Sequence, residues 1–228
     1  MDIFINKAIE MSTAGAPTYS DIKAAAKRIA RHARHTPLLR NSFLDEHSHR
    51  KVLLKPEMLQ VSGSFKFRGA YNRIAQLSGD ERDAGVIAWS SGNHAQGVAA
   101  AARLEGVRAR IVMPKDAPAI KLENTRALGA EVITFDRYEE DREAICYALA
   151  ARDGGVIIPS YDDRHIIAGQ GTAGLEIFQD AQIMDEKLDA LLICCGGGGL
   201  TAGCALAGEA LSPDTAIYCV EPEHYDDH

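Results

Sequence analysis

Val86-Ile87-Ala88-Trp89-Ser90-Ser91-Gly92-Asn93-His94-Ala95-Gln96-Gly97 changes character halfway along. Val86 to Trp89 is apolar throughout and reads as a buried strand. Ser90, Ser91 and Gly92 are turn formers. Asn93 to Leu104 then carries a helical pattern, with Asn93 or Ser91 able to cap it. A strand, a polar loop and a helix in immediate succession make half of a βαβ unit.

The same unit repeats downstream. Val107 to Met113 reads as a strand ended by Pro114, and Ala119 to Leu128 as a helix. Glu131 to Phe135 reads as a strand, Glu139 to Ala151 as a helix, and Val156 to Ile158 as a strand stopped by Pro159. Thr172 to Asp180 is expected to be helical. Leu188 to Cys195 reads as a buried strand, Leu200 to Leu211 as a helix, and Thr215 to Val220 as a further buried strand. Upstream, Ser20 to Ala33 reads as a helix capped by Thr18 or Ser20, with Ile22, Ala26, Ile29 and Ala33 on one face. Lys51 to Lys55 reads as a short strand, and Ser64 to Leu77 as a helix capped by Ser64. Strands alternating with helices of this length form right-handed crossovers, so the class is α/β with parallel sheet. In such sheets ligands bind at the carboxyl ends of the strands. The polar and glycine-rich residues of this chain gather there.

Composition narrows the function classes. The 228 residues are 46% hydrophobic and 25% charged, which suits a globular chain with a sizeable core. Twenty-five basic against 32 acidic residues give a net charge of −7, which argues against nucleic acid as a partner. Only 6% of residues are aromatic, which disfavours a stacking-rich surface. The longest uncharged stretch, Ala190 to Gly208, holds six glycines and a threonine, so a strand, a loop and a helix explain it better than a membrane span. Met1 to Glu10 has no apolar core of signal-peptide length. Cys146, Cys194, Cys195, Cys204 and Cys219 form no C-x-x-C pair and are expected to be reduced core residues of a cytoplasmic protein.

Two loops besides Ser90–Gly97 carry chemistry. Gly196-Gly197-Gly198-Gly199 joins a strand to a helix, where backbone N–H groups and the helix N-terminus suit a phosphate. A dinucleotide site is the rival reading, because Gly197-x-Gly199-x-x-Ala202 followed by Glu221 fits that fingerprint in its alanine form. In Ser62-Gly63-Ser64-Phe65-Lys66-Phe67-Arg68-Gly69-Ala70, Lys66 stands in a first helical turn between two phenylalanines. A desolvated lysine at a positive helix end has a lowered pKa, as imine chemistry requires; a lysine snorkelling beside core aromatics is the plainer alternative.

Ser-Phe-Lys-Phe-Arg-Gly-Ala, Ser-Ser-Gly-Asn-His-Ala-Gln-Gly and Gly-Gly-Gly-Gly-Leu, in that order, resemble the fold type II pyridoxal-phosphate enzymes. The branch most similar is that of serine/threonine dehydratases and serine racemases, 3-hydroxyaspartate dehydratases included. The resemblance runs from about His35-Thr36-Pro37-Leu38 to the C-terminus. The dinucleotide reading leaves the Lys66 and Asn93 loops unexplained.

The resemblance implies two open parallel-sheet domains of the tryptophan synthase β-like kind. Residues 17–80 and 156–228 would form the large, C-terminally incomplete, cofactor-binding domain, residues 81–155 a small mobile domain, and residues 1–16 an N-terminal extension. Lys66 matches the lysine that holds pyridoxal 5'-phosphate covalently and then moves the substrate's α-proton. Phe65 matches the residue beside the cofactor ring, Asn93 the amide on its phenolic oxygen, and Gly196, Gly197, Gly198, Gly199 and Leu200 the phosphate cradle. Ser90, Ser91, Gly92, Asn93 and His94 are implied to hold the substrate carboxylate, and Arg142 its outer face, although Arg142 also fits a solvated helical charge run.

Ser91 also matches an opposite-face acid/base of racemase-like members. The implied reaction is β-elimination of water from a small β-hydroxy amino acid such as L-threonine, L-serine or 3-hydroxyaspartate. The alternatives are a serine/aspartate-type racemase with side dehydratase activity, or a truncated, non-catalytic chain. Glu221, Tyr225 and Asp227 resemble a site for Mg²⁺ or Ca²⁺, hard cations that prefer oxygen ligands. The family pattern continues with a Ser or Thr facing the pyridine nitrogen, and no segment after Glu221 matches it. A homodimer is implied as well.

Overall fold

A computed structural model of the chain describes residues 15–224. Helix α1 (Tyr19–Ile29) opens the described part. Thr18 and Asp21 close its N-terminus reciprocally: the Asp21 N–H donates to Thr18 Oγ1 at 3.3 Å and the Thr18 N–H to Asp21 Oδ2 at 2.8 Å. Its buried face is Ile22, Ala25 and Ile29. An antiparallel pair, β1 (Leu39–Arg40) with β2 (Leu53–Leu54), encloses the short helix α2 (Ser42–Ser48). A 3₁₀ turn at Glu57–Leu59 leads to α3 (Lys66–Ile74). The short helix α4 (Gly79–Ala84) starts from a Ser78/Glu81 capping box.

Next comes the parallel sheet expected from the alternation. Its strands are β3 (Val86–Trp89), β4 (Ala109–Pro114), β5 (Glu131–Phe135) and β6 (Val156–Ile157), linked by α5 (Asn93–Glu105), α6 (Ala119–Ala127) and α7 (Arg142–Asp153). The spatial order is β5-β4-β3-β6, all parallel. Chain order therefore reverses at β3, which has β4 on one side and β6 on the other. The loops leaving β3 and β6 lie side by side at the carboxyl edge, where α/β sheets bind ligands. β6 belongs to this sheet, so the sheet extends past residue 155.

α5 packs between the sheet and α3, and its buried residues are small: Ala95, Val98, Ala99, Ala101 and Ala102. A Cβ on Gly97 would stand 3.1 Å from the backbone carbon of Lys66, so glycine there lets α5 run directly against the first turn of α3.

The remaining elements are α8 (Arg164–Ile183), β7 (Ala190–Cys194), α9 (Gly199–Leu211) and β8 (Ala216–Val220), with β7 and β8 paired in parallel. α8 is more than twice the length expected from Thr172 to Asp180. Its first turns, with Gly169 and Gly171, fall outside the expected helix, and Gly174 falls inside it. In the fold those glycines are contact points: their Cβ positions would strike Gly69, Gly203 and Cys204 respectively. Helix formation here is decided by close packing on α3 and α9, which outweighs the poor propensity of glycine.

Other expectations need correcting. Ser64 and Asn93 are not caps. α3 begins after Phe65 and α5 after Gly92, each with no side-chain cap. β7 and β8 are not buried strands: Leu192 is 67% exposed and Tyr218 55%. Of the cysteines, only Cys146 and Cys204 are core residues, whereas Cys194 and Cys219 are exposed. The physical reason is that α9 covers one face of the β7–β8 pair, and among the described residues nothing covers the other.

Candidate active site

Lys66 is the first residue of α3 and points toward the loop that follows β6. Its Nζ donates to the Ser160 carbonyl at 2.6 Å. Burial brings the Lys66 ammonium down to about 8, against a smaller opposing influence from the Cys194 thiol. The Phe65 ring lies beside it, 5.5 Å from Nζ to the centroid.

His94, on the second residue of α5, is only 2% exposed. Its Nε2 lies 2.9 Å from the Ile158 carbonyl, so that nitrogen carries the proton and donates. Nδ1 is buried with no hydrogen-bond partner. Burial pushes the ring down to about 4, and the nearby Lys66 charge acts in the same direction. A neutral imidazole thus ties the start of α5 to the end of β6. The side chain of His94 is committed to Ile158, so only its backbone N–H is left for a substrate carboxylate.

Gly198 has φ 76°, a left-handed conformation suited to glycine, and α9 starts at Gly199 without a side-chain cap. Unpaired N–H groups at such a start favour an anion. A Cβ on Gly197 would collide with the Tyr161 ring, and one on Gly199 would stand 3.0 Å from the same residue. No atom lies within 4 Å of the Cβ position of Gly196, so the loop is open on that side. Leu200, half-buried, is the second residue of α9.

These residues fit pyridoxal phosphate. A buried amine of lowered pKa faces a carbonyl acceptor, a glycine loop opens onto an uncapped helix, and Ser62 Oγ, Ser64 Oγ and His94 Nδ1 are buried without partners.

A cavity of about 340 Å³ lies at the carboxyl ends of β3, β4 and β5, with Ser90, Ser91, Phe135, Arg137 and Arg142 among its lining residues. The structure therefore brings Ser90 and Ser91 together with Arg142. Lys66, Asn93 and the glycine loop do not line this cavity. Asn93 is exposed as the first residue of α5. Glu221 lies just after β8, whereas Tyr225 and Asp227 are outside the described residues. Among the described residues no cluster of His, Cys, Asp or Glu has the makings of a metal site, and no helix is long and apolar enough to cross a membrane.

The sequence reading missed Ser160 and Tyr161. Both follow β6 at the carboxyl edge of the sheet, and the stop at Pro159 was the available signal for a loop there.

Comparison with known proteins agrees with this geometry. The family model described as pyridoxal-phosphate dependent enzyme matches residues 29–228. The chain is 45% identical over 207 residues to a serine racemase of Schizosaccharomyces pombe, covering 91% of this chain and 63% of the relative. It is 49% identical over 206 residues to an L-threo-3-hydroxyaspartate ammonia-lyase of Pseudomonas sp, covering 90% of this chain and 63% of the relative. The structure of maize serine racemase superimposes with a TM-score of 0.89 at 37% identity, covering 93% of this chain and 63% of that one. The chain thus spans somewhat under two thirds of these relatives. The lysine, asparagine and glycine loops stand on the α/β framework of the fold type II enzymes, and the chain belongs to the pyridoxal-phosphate dependent enzyme family.

Proposed function

We propose that the protein carries out pyridoxal-phosphate-dependent β-elimination on a small β-hydroxy amino acid, releasing a 2-oxo acid and ammonia. The observation that carries this reading is the buried Lys66 amine, lowered to about 8 and hydrogen-bonded to Ser160 at the crossing of the β3 and β6 loops. The bound cofactor supplies an electron sink for negative charge at the substrate α-carbon. Lys66 supplies the amine that holds the cofactor and, once released, takes the α-proton. Its lowered pKa leaves a substantial neutral fraction near neutral pH. Phe65 would flank the ring, Asn93 would meet the phenolic oxygen, and Gly196 to Leu200 would cradle the phosphate.

Ser90 to His94 receive the substrate carboxylate at the start of α5, the last two through backbone N–H groups. Arg142, across the cavity from Ser91, holds a second acidic group, which favours a hydroxyaspartate-like substrate. That preference agrees with the activity for which the Pseudomonas relative is named. Loss of the β-hydroxyl as water leaves an enamine that hydrolyses to the oxo acid. Residues 81–155, with β6 completing their sheet, act as the small mobile domain, closing Arg142 toward the substrate, and residues 17–80 with the chain after β6 as the cofactor domain. Glu221, Tyr225 and Asp227 would hold Mg²⁺ or Ca²⁺ through oxygen atoms. A homodimer in the cytoplasm, with its cysteines free, completes the proposal.

A second reading, amino acid racemisation, is favoured by Ser91, whose hydroxyl lies in the same cavity as Arg142.

The test is borohydride trapping. Pyridoxal phosphate added to the full chain and reduced should be found by mass spectrometry on Lys66, and Lys66→Ala should retain none. L-serine, L-threonine and the 3-hydroxyaspartates are then assayed for ammonia and 2-oxo acid. Cofactor trapped on other lysines and not on Lys66 would overturn the proposal.

A further inference from the structure

Two residues beyond Lys66 on the same helix, Arg68 lies at the centre of the most elaborate polar network in the described residues. Its side chain has no exposed surface. Nε and Nη2 donate to the two carboxylate oxygens of Glu57, each at 2.8 Å. Nη1 and Nη2 donate to Glu176 at 2.7 and 2.8 Å, on α8. Nη1 also reaches Thr172 Oγ1 at 3.2 Å, and Nη2 the Arg34 carbonyl at 3.3 Å. Beyond these, Thr36 donates to Glu57 at 2.6 Å, and Lys55 Nζ pairs with Glu176 at 2.7 Å. The guanidinium therefore docks onto three separate segments: residues 34–36, the turn at Glu57, and α8.

A cluster of this kind is a poor device for stability alone. Well-packed apolar residues in the place of buried charges serve stability as well or better. What a planar, doubly bidentate fork adds is direction. On an α-helix, residues two apart are separated by about 200°, so Arg68 and Lys66 point to nearly opposite sides of α3. The glycine contacts, Gly69 against Ile166 and Gln170 of α8 and Gly97 of α5 against Lys66, set how near α3 lies to its neighbours, and the buried Phe67, Tyr71 and Ile74 pack around it; the fork adds directed, charged hydrogen bonds on the side away from Lys66.

We infer that Arg68 is a positioning residue: by fixing the rotation of α3 from its far side, it sets the aim of Lys66 at the loop after β6. This rests on the reading of Lys66 as the cofactor lysine. Arg68 touches neither cofactor nor substrate and acts through the helix.

The test removes the fork without leaving an unpaired buried charge, since Lys55 keeps Asp180 at 3.5 Å. In the full chain, Arg68→Met is combined with Glu57→Gln and Glu176→Gln, and two quantities are measured beside the parent. The first is the pH profile of Lys66 acetylation in a competitive labelling experiment read by mass spectrometry, which needs no cofactor. The second is the rate of borohydride-trapped pyridoxal phosphate uptake on Lys66. If the fork aims the lysine, the labelling midpoint rises from about 8 toward the ordinary 10.5 by about one pH unit, as the amine leaves its buried position. Uptake slows by about a hundredfold, the effect of misplacing a reacting group by an ångström.

A folded triple variant with an unchanged labelling profile and unchanged uptake would overturn the inference. Thr172→Val supplies a milder arm. It removes one anchor, together with the hydroxyl's bond to the Gly169 carbonyl, at nearly constant shape; uptake should slow by about two- to threefold and the labelling midpoint rise by about 0.3–0.5 pH unit, as expected for the loss of one hydrogen bond to a charged group that is partly held by others. No shift in this variant would count equally against the inference. The two readings fail separately. If the parent traps no cofactor on Lys66, the proposed function falls, while the labelling profiles still decide the role of Arg68.

Discussion

His94 makes the protein's stability sensitive to mild acid. In the folded chain its ring sits at about 4 against an ordinary 6.5, because burial penalises the charged form and Lys66 lies nearby. The unfolded chain therefore takes up a proton on this residue at a higher pH than the folded chain. A depressed folded pKa means that the contribution is fully present above pH 6.5 and is lost as pH falls toward 4. The shift spans about 2.5 pH units; at about 1.36 kcal/mol per unit it comes to roughly 3 kcal/mol, of which about 2 kcal/mol is gone by pH 5. The structural reason is plain: a proton arriving at Nδ1 would find no acceptor, because Nε2 alone is paired, with Ile158.

The carboxylates with lowered pKa, Glu57 among them, start from 4.5 or below and titrate in a more acidic window. Equilibrium urea unfolding from about pH 7 down to about pH 5 avoids most of that window; burial lowers His165 as well, so His94 is isolated by difference against a variant that lacks it. His94→Gln keeps an N–H able to reach the Ile158 carbonyl but has nothing to titrate. The parent should lose about 2 kcal/mol more than the variant over that range. Parallel losses in the two proteins, within about 0.5 kcal/mol, would refute the assignment of a neutral, buried imidazole.

Gly197→Ala should cost about 1–3 kcal/mol and weaken phosphate binding, since the new methyl meets the Tyr161 ring. Tyr161→Ala in the same chain should recover most of that loss in thermal denaturation, because the half-exposed ring is the obstacle. Ser91→Ala should lower any racemisation by about a hundredfold or more, the usual worth of a positioned acid/base group, and lower elimination by less than about tenfold. Equal losses in a chiral assay run beside an ammonia assay would remove Ser91 as a second base.

The sequence by itself determined the α/β class, the parallel sheet and the three loops. The reason is local: apolar runs of strand length, turn formers and helical periodicity all alternate within a dozen residues, and each loop carries its chemistry in consecutive positions. The proposals for Lys66, Asn93 and Gly196 to Gly199 rest on those consecutive positions. Tertiary packing alone decided the rest. Gly169 and Gly171 lie outside the helix expected from the sequence until α3 and α9 press against them and make the whole of α8 a helix. Cys194 and Cys219 read as core until the β7–β8 pair leaves one face uncovered. Ser160 and Tyr161 carry no motif, and they enter the site because β6 adds to the far side of β3, which sets its trailing loop beside Lys66. The partners of Arg68 lie 11 and 108 residues away along the chain, a distance at which no local pattern can register a contact. The proposal of Lys66 as the reactive lysine comes from the sequence. Its burial, its lowered pKa and its direction come from groups that only folding brings together.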